Sequence, residues 1–328
     1  MPQIPSPAAI LSCLAMALAL AVGLSRPASA ITLQLAEAAR VNTEAGRTIE
    51  LTRAESGHLL LPVTINGTGP FTFILDTGAS HTAIAQPVVE ALGFESQWVD
   101  FDPVQSINTR FDAERFVVDA LALASFQPVR LNSVVIPVAE NHPLAVVGLI
   151  GADAMIADRY EINVEAARLS LGSPALEYRD GTVDHRGLML GMARLRQLER
   201  PIHVLIDTGS AQTLVNPAMG DMLQRPGFSV LVRGEVHGVA AIEGEEAEPI
   251  RIRSLQVGGL CIDVLDALEA DLGVFEAMNW DRTPAIVIGM DMLRHARLRV
   301  DRRAGAFELT GTTNGTDCSG DRVQMPGL

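Results

Sequence analysis

The chain has 328 residues, 48% hydrophobic and 20% charged, which is enough material for more than one hydrophobic core. Its formal net charge of −14 argues against a nucleic-acid partner, and all 25 basic residues are arginine, which excludes a Schiff-base or phosphate-loop lysine. The seven histidines lie far apart, without His-Glu-x-x-His, and no Gly-x-Ser-x-Gly elbow occurs, so no sequence-local metal site and no cofactor are expected.

Residues 1–30 carry an apolar run, Ala8 to Leu24, followed by Arg26-Pro27-Ala28-Ser29-Ala30. Ala28-x-Ala30 is a small-residue cleavage pattern, so a signal peptide and a periplasmic or secreted product are expected. No basic residue precedes the apolar run, which keeps an uncleaved N-terminal anchor as the alternative. After cleavage no membrane span is expected. Residues 31–56 form an N-terminal segment in which Ile49-Glu50-Leu51 is a candidate first strand. Leu59 to Ile65 is rich in β-formers, and Asn66-Gly67-Thr68-Gly69 is turn chemistry, so a hairpin leads into Phe71–Leu75. Gly67-x-Gly69 lacks the third glycine and the long helix of a dinucleotide site. Pro87 to Leu92 reads as a short helix stopped by Gly93.

The strand Phe71–Leu75 ends in Asp76-Thr77-Gly78-Ala79-Ser80, and Ile202–Ile206 ends in Asp207-Thr208-Gly209-Ser210-Ala211, 131 residues later (207 − 76). At that offset Pro70 meets Pro201, Thr82 meets Thr213 and Ile84 meets Val215, so the tripeptides belong to an internal repeat. A strand ending in Asp pushes a carboxylate out of a rigid sheet, and Gly lets the backbone turn and approach a partner closely. Two such carboxylates facing each other share one proton, because adjacent like charges resist double ionisation. Each copy is followed by an apolar-apolar-Gly block, Val147 to Gly151 and Val287 to Gly289.

These residues resemble the aspartic peptidases of the retropepsin and pepsin type, whose carboxylate dyad is a worked case of shared-proton catalysis. The resemblance implies a mainly β fold, with two homologous β-barrel lobes in one chain and a cleft between them. It implies a first lobe at 57–172, a linker at 173–186, a second lobe at 187–310 and a loose tail at 311–328. Asp76 and Asp207 are then the catalytic pair, supported by Thr77, Gly78, Ala79, Thr208, Gly209 and Ser210. Gly151 and Gly289 become the structural second signature, and Asp153 and Asp291 read as caps of the short helices that follow. The resemblance further implies that the Ser210 hydroxyl donates to Asp207, which Ala79 cannot do for Asp76.

Phe101–Ile107 and Phe116–Leu123 read as a hairpin around Asn108–Glu114, with Phe111 as the candidate flap residue; the tyrosines, Tyr160 and Tyr178, lie elsewhere. Val236–Pro249 is the candidate counterpart, with Glu243, Glu245 and Glu246 as a solvated acidic run. Cys261 and Cys318 remain after signal removal, either as a disulfide or as free thiols. Two half-sites in one chain imply a monomer. The function expected is an exported aspartic endopeptidase acting on extended protein or peptide substrates. The alternatives are a catalytically silent envelope peptide-binding protein that keeps the fold, and a structural β-protein with incidental turns.

Overall fold

A computed structural model describes residues 48–94, 98–108, 110–124, 126–137, 146–155, 157–195, 198–223, 234–236 and 245–311. The expected signal segment, residues 237–244 of the candidate counterpart hairpin, with Glu243, and residues 312–328 of the tail, with Cys318, lie outside those residues. Strands β1 (Thr48–Glu50) and β2 (Thr52–Arg53) lead into the hairpin β3 (Leu59–Ile65) and β4 (Thr68–Leu75). Then follow β5 (Ala83–Ala85), α1 (Gln86–Ala91), β6 (Trp98–Gln105), β7 (Arg110–Leu123), β8 (Val129–Ile136), β9 (Gly148–Ile150), β10 (Arg159–Asn163) and β11 (Arg168–Leu171). The second half repeats the series as β12 (Gly181–Val183), β13 (Met189–Leu195), β14 (Leu198–Ile206), β15 (Leu214–Val215), α2 (Pro217–Met222), β16 (Gly234–Val236), β17 (Glu245–Val257) and β18 (Leu260–Glu269). It ends with α3 (Gly273–Ala277), β19 (Ala285–Ile288), α4 (Met290–Leu293), β20 (Ala296–Asp301) and β21 (Ala306–Gly311).

The chain is mainly β, in two barrel-like halves related by repeated pairing rules. β4 runs parallel to β9, as β14 does to β19; β5 pairs β8 and β9, as β15 pairs β18 and β19. β3 reaches β7 as β13 reaches β17. Alternation supplies the core: Leu59, Leu61, Val63 and Ile65 of β3 and Phe71, Phe73 and Leu75 of β4 all point inward. β19 is buried at every position, as a strand covered on both faces requires. Asn66 and Gly67, at φ +49° and +80°, close the β3–β4 hairpin with a primed turn that matches strand twist.

Between the halves lies a shared sheet in the order β1-β11-β10-β20-β21-β12. Its centre is the antiparallel ladder of β10 and β20, where Glu161 stands opposite Arg299. Each of these two residues follows its signature glycine by ten positions, since 161 − 151 and 299 − 289 are equal. The pseudo-two-fold axis therefore passes through this pair. The segment 173–186, expected as a linker, contributes β12 to this sheet.

The β6–β7 hairpin forms, but its turn is shorter than the sequence implied. Phe111 lies within β7 opposite Val104, and the tip is Ser106–Asn108. The inward period through Phe111 and Ala113 extends the strand past the expected loop, and Phe111 packs with Ala113, Val134 and Ile136. The tip reaches the second half: Val274 N–H donates to the Ile107 carbonyl at 3.2 Å, and Asn108 Nδ2 to the Val236 carbonyl at 3.4 Å. The Ile107 side chain packs against the cluster that holds Val236, Leu272 and Phe275. Glu245 and Glu246 of the acidic run are exposed on β17.

Candidate active site

Asp76 and Asp207 stand at the ends of β4 and β14, each just beyond a strand locked parallel to the one carrying the second signature. Asp76 N–H donates to the Ile150 carbonyl and Asp207 N–H to the Ile288 carbonyl, both at 3.0 Å. The two turns interlock through their threonines. Thr77 Oγ1 donates to the Ile206 carbonyl at 2.9 Å and accepts from Thr208 N–H at 3.0 Å. Thr208 Oγ1 donates to the Leu75 carbonyl at 2.6 Å and accepts from Thr77 N–H at 3.1 Å. The interlock needs a hydroxyl here, because one group must donate and accept at once.

The glycines then let the carboxylates meet. A Cβ at Gly78 would lie 2.5 Å from the Asp207 carboxyl carbon, and one at Gly209 would lie 2.3 Å from that of Asp76. Each carboxylate thus sits over the partner turn's glycine, and the two carboxyl groups hydrogen-bond each other. Inner oxygens accept from Gly78 N–H and Gly209 N–H, both at 2.8 Å. Burial and the facing carboxylate push Asp76 well above the usual carboxylate range; burial also pushes Asp207 up. Both keep some exposure, 8% and 9%, so the pair is desolvated yet reachable.

Behind each turn a second pair of residues performs a role that the sequence misassigned. The cap positions of the helices are Gly151 and Gly289, not Asp153 and Asp291, and neither glycine makes a side-chain capping bond, although Asp291 Oδ1 accepts from Met292 N–H in the first turn of its helix at 2.8 Å. Both aspartates bind a distant threonine: Asp153 Oδ1 accepts from Thr82 N–H at 2.9 Å and from Thr82 Oγ1 at 2.7 Å. Asp291 accepts from Thr213 N–H at 3.0 Å and Thr213 Oγ1 at 2.7 Å. Each threonine hydroxyl also accepts from the signature glycine, Gly151 N–H at 3.2 Å and Gly289 N–H at 3.1 Å. A Cβ at Gly151 would fall 2.5 Å from the His81 backbone, and one at Gly289 would fall 2.4 Å from the Gln212 carbonyl. Only glycine permits that passage.

Ser210 also departs from expectation. Its hydroxyl donates to the Gln212 carbonyl at 2.7 Å, within its own turn. The groups turned towards the carboxylates at this position are the backbone N–H of Ala79 for Asp76 and of Ser210 for Asp207, equivalent in both copies. A local acceptor two residues away satisfied the hydroxyl first.

Sequence reasoning missed His58. Its ring lies across the second turn, with Nε2 3.0 Å from the Gly209 carbonyl and Nδ1 2.8 Å from Ser56 Oγ. Leu61 pairs with Phe73 as Gly191 pairs with Val204, so His58 corresponds to Leu188 in the repeat. A polar residue where the other copy has a core leucine was the available signal. Cys261, buried on β18, is disulfide-bonded. Among the described residues no helix is long and apolar enough to cross a membrane.

Two carboxylates brought together by interlocked Asp-Thr-Gly turns in a mainly β fold are the arrangement that the resemblance to aspartic peptidases implies. Residues 61–154, which include Asp76, Thr82, Gly151 and Asp153, match the family model described as aspartyl protease. Over that span the chain is similar to those proteases, and the second half restates the same site by its own pairing. No curated protein matches the chain.

Proposed function

We propose that the chain is an exported aspartic endopeptidase that works as a monomer. The observation that carries this reading is the meeting of Asp76 and Asp207 over each other's turn glycines, which gives one shared proton to a buried pair. Water is the nucleophile. The ionised carboxylate takes a proton from water as its oxygen attacks the peptide carbonyl. The protonated carboxyl gives its proton to the carbonyl oxygen, forming a gem-diol. The carboxyl that took the water proton gives it to the amide nitrogen, the C–N bond breaks, and the other carboxylate takes a proton from a gem-diol hydroxyl as the product acid forms, so the dyad is left with one proton again. No covalent intermediate is needed. Substrate lies extended, held by backbone hydrogen bonds and apolar pockets, beneath the β6–β7 hairpin.

Export is supported by the N-terminal pattern and by the disulfide at Cys261, since such bonds persist in oxidising compartments. We place Cys318 as the partner of Cys261; non-reducing peptide mapping reads the linkage. The test of function is hydrolysis of fluorescein-labelled casein by wild type, Asp76→Asn and Asp207→Asn. Both variants are expected to remain folded and to lose at least a thousandfold in kcat. Wild-type turnover in either one refutes the shared dyad.

A further inference from the structure

We propose that His58 is a positioning residue that makes the two half-sites unequal, fixing Asp207 as the ionised carboxylate and Asp76 as the one that keeps the proton. The inference rests on the dyad proposed above and goes beyond it, because the side-chain bonds that lock the two turns together, and the glycine N–H bonds to their carboxylates, are matched in the two copies. Thr77 mirrors Thr208, Gly78 mirrors Gly209 and the Ala79 N–H mirrors the Ser210 N–H. Ser210 differs from Ala79 by a hydroxyl that is bound to Gln212. The imidazole that binds the Gly209 carbonyl has Leu188 as its repeat equivalent, a side chain that offers the first turn no such hydrogen bond.

The chemistry of the contact assigns the ring's protons. A carbonyl oxygen only accepts, so Nε2 carries the hydrogen donated to Gly209. In the neutral ring Nδ1 accepts from the Ser56 hydroxyl; in the charged ring Nδ1–H donates to the same oxygen. Both charge states therefore fit without the ring moving. The Gly209 carbonyl belongs to the peptide whose N–H, that of Ser210, is turned towards Asp207. Polarising that carbonyl strengthens the N–H as a donor, which favours negative charge on Asp207. When the ring is protonated its charge acts in the same direction.

The charged groups around the ring are few. Asp207 faces it from the second turn, with Asp76 beyond it. Arg53 and Glu55 lie on its own turn, and the Arg53 guanidinium is taken up by the carbonyls of Gly57 and Val164. Gly57 packs against Met290 of α4, whose neighbour Asp291 is bound to Thr213. Burial lowers the His58 pKa, while the bond to the Gly209 carbonyl and the charge of Asp207 work against it, so the ring charges only below its ordinary range.

The test compares wild type, His58→Gln and His58→Leu. Gln reaches the Gly209 carbonyl with an N–H but cannot charge; Leu restores the symmetry of the repeat. In casein hydrolysis the acid limb of kcat/KM is expected to move up by about one pH unit in both variants. The plateau should hold within about twofold in His58→Gln and fall about fivefold in His58→Leu. Coupling is reciprocal, so the His58 ring titration, followed by NMR at Cε1–H, should shift down in Asp207→Asn and stay in place in Asp76→Asn. Superimposed acid limbs, or equal ring shifts in the two Asp variants, overturn the proposal. The ring titration needs no turnover, so it separates this inference from the peptidase reading, which falls if the Asp variants still cleave casein. Should His58→Leu not fold, His58→Gln and the ring titration decide.

Discussion

Thr208→Val removes a hydroxyl while keeping the side chain's shape, and it strikes the interlock directly. Thr208 is fully buried, and its hydroxyl both donates to the Leu75 carbonyl and accepts from Thr77 N–H. Valine leaves both backbone groups without this partner in a site that water does not reach. Each orphaned group costs about 1–3 kcal/mol, so the loss is about 2–6 kcal/mol. Native stability is only about 5–15 kcal/mol, so the variant should be severely weakened. In urea, with an m-value of about 3 kcal/mol/M, the midpoint should fall by about 0.7–2 M. Thr208→Ser keeps both bonds and loses one methyl, so it should cost about 1 kcal/mol. Thr77→Val removes the mirror pair of bonds and should match Thr208→Val. The assay is urea unfolding followed by far-UV circular dichroism. A Thr208→Val midpoint within about 0.3 M of wild type would show that the turns are held by something other than these hydroxyls.

Other outcomes follow from the same site. The Asp76 carboxyl is raised in the fold, so its protonated form stabilises the native state. That contribution is complete below the unfolded value of 3.8 and is lost as pH rises through the higher folded value. Asp76→Asn, which keeps an oxygen for the Gly78 N–H, should therefore raise Tm by a few degrees at pH 7, and the gain should vanish below about pH 4 in a thermal-melt series. Ser210→Ala should cost about 1 kcal/mol for the lost bond to Gln212 and leave the pH–rate profile in place.

The dyad was legible because its signals are local and doubled. Asp-Thr-Gly follows a β run twice, Thr82 and Thr213 each stand six positions after their Asp, and Gly151 and Gly289 follow at the similar separations of 75 and 82 residues. What escaped depends on partners distant in sequence. Asp153 looks like a helix cap because the cap is the nearest use for a carboxylate before a short helix. Its threonine donors come from Thr82, 71 positions back, and Asp291 takes two donors from Thr213, 78 positions back, besides the adjacent Met292 N–H. Ser210 failed in the opposite sense, since a nearby carbonyl took the hydroxyl that the resemblance gave to Asp207. His58 carries no motif, and its neighbour Gly209 lies 151 residues away. The shared sheet was hidden because β10 gives no sign that its partner is β20.

The Glu161–Arg299 register at the centre of that sheet decides what each half can pair with. In a homodimer built from one half, the residue on the two-fold axis must face its own copy. Two such halves would oppose glutamate to glutamate, or arginine to arginine, and like charges directly across a ladder repel. A single chain escapes that rule, because its axis position is two positions. Acid and base stand there on facing strands, and each also has an ion pair of its own, Glu161 with Arg297 and Arg299 with Glu308. The halves are thereby complementary to each other at the axis and poor partners for a second copy of themselves.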